Sequence, residues 1–201
     1  MCFAAQWADE KRIRTHSLPD YKTFKKDKHS DIELCQELSR YLSEPGVIPC
    51  AHNGDRFDLP LINGRVWANK LRPLPPIQTI DTLKIARRFK LDSHKLDNLG
   101  RLKGLGHKRP NTGKDLWADC HNGKAPAYKE MTRYCAQDVR LLATMYADLA
   151  PFMKKHPSLF ETGCPVCGSD NMHRRGQVRN TNKFQFQCQE SGCGHWWTAK
   201  P

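Results

Sequence analysis

Apolar residues recur along this chain with two periods, and the change from one to the other marks out its elements. Cys2 to Trp7 is apolar-rich and reads as a strand. Lys11 to Leu18 alternates and predicts its hairpin partner, with Asp9-Glu10 at the turn. A basic loop, Pro19 to His29, leads to Ser30-Asp31-Ile32-Glu33, which has the form of a capping box. Ile32, Cys35, Leu38 and Leu42 follow at helical spacing, and Pro45-Gly46 stops that helix. Val47-Ile48-Pro49-Cys50-Ala51 predicts a short buried strand that ends at the turn signal Asn53-Gly54. Phe57 to Ile62 opens a helix reaching about Leu71, with Pro60 tolerated in its first turn. A Pro-rich break at 73–76 precedes a short strand, Ile77 to Ile80. Asp81-Thr82 then starts a helix over Leu83 to Phe89. Leu96, Leu99, Leu102 and Leu105 predict a further short helix closed by Gly104 and Gly106, and His107 to Thr112 is a basic turn. The last helix runs from about Pro126 to Leu149, with Met131, Cys135, Leu142, Met145 and Leu149 as its buried stripe. Lys154 to Pro157 marks a linker.

Composition narrows the partners. The 201 residues suffice for one sizeable domain and a small one. Lys and Arg number 33 against 21 Asp and Glu, a formal +12, which points to a polyanion and most simply to nucleic acid. No run approaches the ~18 apolar residues of a membrane span, so no membrane partner is expected. The short apolar start has no basic lead-in and is a poor signal peptide. Nine cysteines, four of them at metal-ligand spacing, fit a reducing cytoplasm better than a disulfide framework.

Two places carry chemistry. Asp58 lies just beyond a strand, at a strand-to-helix corner, where a carboxylate is held rigidly while facing a cleft. Far downstream, Tyr134 and Asp138 are four apart and share one face of a helix. Asn53-x-x-x-Phe57-Asp58 followed by Tyr134-x-x-x-Asp138 resembles the second and third motifs of the DEDDy 3′–5′ exonucleases. These have a ribonuclease-H-like fold and include the proofreading domain of family-B DNA polymerases. Leu96-Asp97-Asn98-Leu99, Leu105-Gly106, Lys108 and Gly113 to Trp117 also resemble predicted exonucleases of phage and bacteria, which often end in a zinc ribbon. The resemblance implies an α/β fold with a ribonuclease-H-like mixed sheet flanked by helices over residues 1–155. It implies a bacterial or phage-infected cell and a substrate of DNA or RNA 3′ ends, single-stranded in form. Asp58 and Asp138 would then hold Mg²⁺ or Mn²⁺, the hard cations that carboxylates suit, for two-metal hydrolysis. Tyr134 would orient the attacking water. Asn53 and Phe57 either shape the loop and contact the terminal nucleotide, or are a turn residue and a core aromatic. Lys95, Lys103, Lys108 and Arg109, around the glycine turns, either hold phosphates or are solvated surface.

The family also carries Asp-x-Glu on its first strand. Asp31-Ile32-Glu33 has that spelling but a helical context, and reads as structural. Cys2 to Trp7 resembles the family's second strand instead. The first strand is therefore expected from an upstream segment or a partner chain, or the chain is a catalytically incomplete nucleic-acid-binding relative. Asp81 reads as an N-cap or as a catalytic neighbour, and His52 and His94 as ligands, proton carriers or satisfied polar residues.

Cys164-x₂-Cys167-x₂₀-Cys188-x₄-Cys193 spaces four thiolates for a tetrahedral Zn²⁺, which predicts a zinc ribbon over 156–201. His195 or His173 could replace one cysteine. Arg174, Arg175, Arg179 and Lys183 are interleaved with Phe184, Phe186, Trp196 and Trp197. That mixture suits single-stranded nucleic acid, or is simply basic surface around the ribbon's core.

Overall fold

The computed structural model describes residues 1–107, 113–153, 156–160 and 162–200. Strands β1 (Cys2–Gln6) and β2 (Ile13–Ser17) form an antiparallel hairpin that pairs Cys2 with Ser17 and Gln6 with Ile13. Helix α1 (Ile32–Leu42) supports the hairpin through rings. Trp7 stacks on Tyr41 at 5.9 Å, and Phe3 stacks on His16 at 4.6 Å. Strand β3 (Cys50–Ala51) leads through a corner into α2 (Asp58–Ala68). Strand β4 (Ile80–Asp81) pairs parallel with β3 and runs directly into α3 (Thr82–Ala86). Helices α4 (Leu96–Lys103), α5 (Lys114–His121) and α6 (Ala125–Leu149) follow. The last three strands, β5 (Met172–Gln177), β6 (Phe184–Cys188) and β7 (Trp196–Ala199), form an antiparallel sheet in that order.

The chain is α/β, with helices around small sheets. Among the described residues the body holds two separate two-stranded sheets, β1-β2 and β3-β4. Helix α6 spans two cores. Its first half, with Ala127, Tyr128 and Met131, packs on Leu18, Leu34, Leu116 and Cys120. Its second half, with Leu141, Met145 and Leu149, packs on Ile85, Ala86, Leu96 and Leu99. Cys135 and Leu142 are half-buried at the margins of this stripe, which adds Ala127, Tyr128 and Leu141. Gly100 lets α4 approach α6, since a Cβ there would lie 2.5 Å from the Gly106 carbonyl oxygen and 2.9 Å from Leu141 Cδ1.

Two local expectations change. Helix α5 has no clear amphipathic signal and was not foreseen; Leu116 and Cys120 bury it against α6. The capping box does not form. Asp31 occupies the N-cap position without a side-chain cap bond and instead binds Arg65 and Asn69 of the α2 end. Glu33 accepts from the Thr23 backbone and hydroxyl at 2.8 and 2.7 Å. Both acids of Asp31-Ile32-Glu33 are thus structural.

Candidate active site and metal centre

The corner after β3 is built by its own backbone. Asn53 takes φ 73°, a left-handed conformation that Asn tolerates better than most residues. Its carbonyl accepts from Phe57 N at 3.0 Å, and Leu59 N donates to the Gly54 carbonyl at 2.9 Å. Gly54 is buried, and a Cβ there would meet Ala51 Cβ at 2.5 Å and Asp58 Oδ2 at 3.6 Å. The Asp58 carboxylate therefore folds back over the Gly54 backbone, at the carboxyl end of β3. Ligands of parallel sheets gather at such ends. Phe57 is 62% exposed one residue before it.

Side chains lock the corner to the neighbouring strand. Asp81 accepts from Asn53 N at 2.8 Å and from Leu83 N at 3.0 Å, so it caps α3 and ties down the loop together. Asp55 accepts from Thr79 Oγ1 at 2.7 Å and from Lys84 Nζ. Burial would raise the Asp55 carboxyl, but these two donors outweigh it and hold its pKa below the ordinary value. His52 reaches Thr82 Oγ1 and the His94 carbonyl, each at 2.9 Å, and His94 reaches the Phe89 carbonyl at 3.0 Å. Both histidines serve the frame. Cys50, half-buried beneath the corner, is pushed up to about 12 by burial and then by the Asp81 charge, which disfavours the thiolate.

Tyr134 and Asp138 lie half-buried on α6, one turn apart. Tyr134 packs against the first core, and Leu141, one turn after Asp138, belongs to the second. Asp138 thus sits at the seam between the cores. Lys95 is exposed at the N-cap of α4, and Lys103 reaches Asp148 at 3.1 Å. Lys108 and Arg109 lie outside the described residues. Asp55 and Thr79, which brace the corner, carried no recognisable sequence signal, because their pairing is purely tertiary.

The second site is the cysteine cluster. The sulfurs of Cys164, Cys167, Cys188 and Cys193 all lie within 4.8 Å of one another. Cys164 Sγ is 3.8 Å from Cys193 Sγ, and Cys167 Sγ is 3.6 Å from Cys188 Sγ. Zn–S bonds of about 2.3 Å in a tetrahedron require sulfur separations of roughly 3.8 Å, so the donors fit zinc. Neither His195 nor His173 joins them. His195 is buried, with Nδ1 3.2 Å from the Pro151 carbonyl, and it anchors the C-terminal sheet to the body. His156 lies beside it, with ring centroids 6.1 Å apart, and Tyr146 Oη of α6 lies 2.7 Å from His156 Nε2.

The basic-aromatic mixture divides between two faces. Strand alternation puts Phe184, Phe186 and Trp197 on one face and Gln187 and Trp196 on the other. The Arg174 guanidinium lies 4.7 Å above the Phe184 ring. Arg175 bonds Gln187 Oε1 and lies 5.8 Å from the Trp196 ring. The adjacent arginines therefore serve opposite faces.

Among the described residues, the group of three or more metal-ligating side chains close enough to share an ion is the cysteine cluster; neither Asp58 nor Asp138 belongs to such a group. Each carboxylate has the chemistry to suit a hard divalent cation. A family model described as the RNase_H superfamily matches residues 1–150, and the chain belongs to that superfamily. Membership supports a nuclease-type hydrolase with a nucleic-acid substrate and divalent metal chemistry. A search of curated proteins returns no match. No described helix is long and apolar enough to cross a membrane.

Proposed function

We propose that the chain is a metal-dependent 3′–5′ exonuclease acting on single-stranded DNA or RNA ends, with a C-terminal zinc ribbon from residue 156. The observation that best supports this is the Asp58 carboxylate, set over Gly54 at the carboxyl end of a parallel strand within a chain of this superfamily. Asp58 and Asp138 would hold Mg²⁺ or Mn²⁺. When bound, the cations neutralise charge on the attacking and leaving oxygens of the phosphodiester. The Tyr134 hydroxyl orients the attacking water from one turn away on α6. Exposed Phe57 stacks on the terminal base, and Asn53 shapes the turn that presents it.

A further strand bearing two acids, from elsewhere in the polypeptide or from a partner chain, would join the two small sheets and complete the site. The isolation of those sheets supports this. The unbridged state of all nine cysteines fits a reducing cytoplasm. That, among the described residues, neither Asp58 nor Asp138 falls in a group of three or more metal-ligating side chains favours a second reading, in which residues 1–201 bind nucleic acid without cutting it.

An end-labelled single strand tests both. Shortening from the 3′ end with Mg²⁺ or Mn²⁺, lost in Asp58→Ala and in Asp138→Ala, supports the exonuclease. Tight binding without shortening supports the second reading for this chain. Cleavage that survives both substitutions would refute the site.

A further inference from the structure

Between the C-terminal sheet and the body lies a cleft of about 630 Å³. That is within the usual size of a ligand site, about 300–1,000 Å³. Its wall is Phe186 and Trp197, whose rings stack with centroids 5.5 Å apart. Both rings are half-buried and line the cleft, and Trp197 is backed by the parallel ring of His195 at 6.0 Å. The rim is polar. Gln78 contributes an exposed amide, one donor group and one acceptor, which matches the edge of a nucleobase. Lys200, also exposed, brings a positive charge to the same rim. Met172 closes the side next to the aromatic pair.

The cleft adjoins the candidate active site. Gln78 is followed by Thr79, whose hydroxyl bonds Asp55 at 2.7 Å in the corner that ends at Asp58. Gln78 is thus one residue and one hydrogen bond from the corner that carries Asp58. Arg174 lies on the sheet face that lines the cleft, over Phe184.

Resting on the nucleic-acid reading above, we infer that this cleft is a base subsite. It takes one unpaired nucleobase of a single strand, a few nucleotides from the 3′ end held at Asp58. The base stacks on the aromatic wall, the Gln78 amide meets its edge, and Lys200 faces the neighbouring phosphate. The net charge of +12 supplies the general attraction for the strand, and the cleft fixes its register.

The test is an abasic scan. The full zinc-loaded chain is titrated, without added Mg²⁺, against labelled single strands carrying one abasic site at successive positions. One internal position should weaken binding by about 5- to 100-fold, the size of one lost base stack. In Phe186→Leu, which removes one ring of the stacking wall and keeps apolar bulk, that penalty should shrink to under about twofold. Zinc content equal to the parent shows that the variant is folded. A flat scan with intact, salt-sensitive binding overturns the subsite and leaves the exonuclease proposal standing. A positional penalty unchanged in the variant places the base elsewhere and also overturns it. Absence of any single-strand binding overturns both.

Discussion

Asp31 is 5% exposed and charged, and it survives burial because three donors reach it. Arg65 Nε and Nη2 lie at 2.5 and 2.8 Å, and Asn69 Nδ2 at 2.7 Å. Burial works to raise its carboxyl, but the Arg65 and Asn69 bonds prevail and hold the pKa below the ordinary value. The pair clamps α1 to the helix whose first residue is Asp58. Asp31→Ala should cost about 2–3 kcal/mol of stability at neutral pH, the worth of bonds to a charged group. Because the folded pKa is depressed, this stabilisation is present above the unfolded value, about 3.9, and is lost as pH falls below it. Urea midpoints at pH 7 and pH 3 check this: the drop on acidification should be smaller in Asp31→Asn than in the parent. Tyr134→Phe is a subtler change. If its hydroxyl positions water, the substitution should slow cleavage at least tenfold while single-strand affinity moves less than about twofold, as for a group used mainly in the transition state. Equal losses in both would make Tyr134 a packing residue.

At the scale of elements, the C-terminal sheet has too little core to stand unaided. Its strand β5 is exposed along its whole length, and its most buried members include Cys164 and Cys188. Zinc held by the four cysteines, as proposed, would supply much of its folding energy. One tightly held zinc per chain is expected. Chelation should unfold this sheet, shifting tryptophan emission to the red through Trp196 and Trp197, while the helical signal of α1 to α6 largely persists. A sheet that stays folded without metal, measured by the same emission, would refute the assignment.

For the whole molecule, the dominant long-range property is positive charge. Single-strand affinity should fall steeply with salt as bound phosphates release counterions. The split of Arg174 and Arg175 between faces sharpens this. Arg174→Ala should flatten the plot of log affinity against log salt by about 0.7, the contribution of one single-strand phosphate. Arg175→Ala should leave the slope within error, because its guanidinium is spent on Gln187 and lies on the face away from the cleft. Equal effects from both would place the strand along the sheet's edge instead.

Local patterning was enough to announce the hairpin, α1, α2, α4 and α6, and the Cys164–Cys193 spacing announced the cysteine cluster. Each of these rests on periodicity, turn residues or ligand spacing within one stretch of chain. The Asn53 corner and the Asp81 cap were equally legible, since a left-handed turn and an N-cap ask for particular residues. Helix α5 was not, because its burial comes from α6 rather than from a stripe of its own. Nor was the division of the body into two small sheets, which depends on which strand edges meet. Glu33 had the spelling of a capping partner, yet Thr23 captured it, and Arg65 and Asn69 captured Asp31. Those bonds join residues 10 to 38 positions apart, so no window of sequence contains both ends. The opposed arginines and the cleft between Gln78 and Trp197 have the same origin. They follow from strand register and from how the C-terminal sheet docks on the body, and neither is encoded within a single segment.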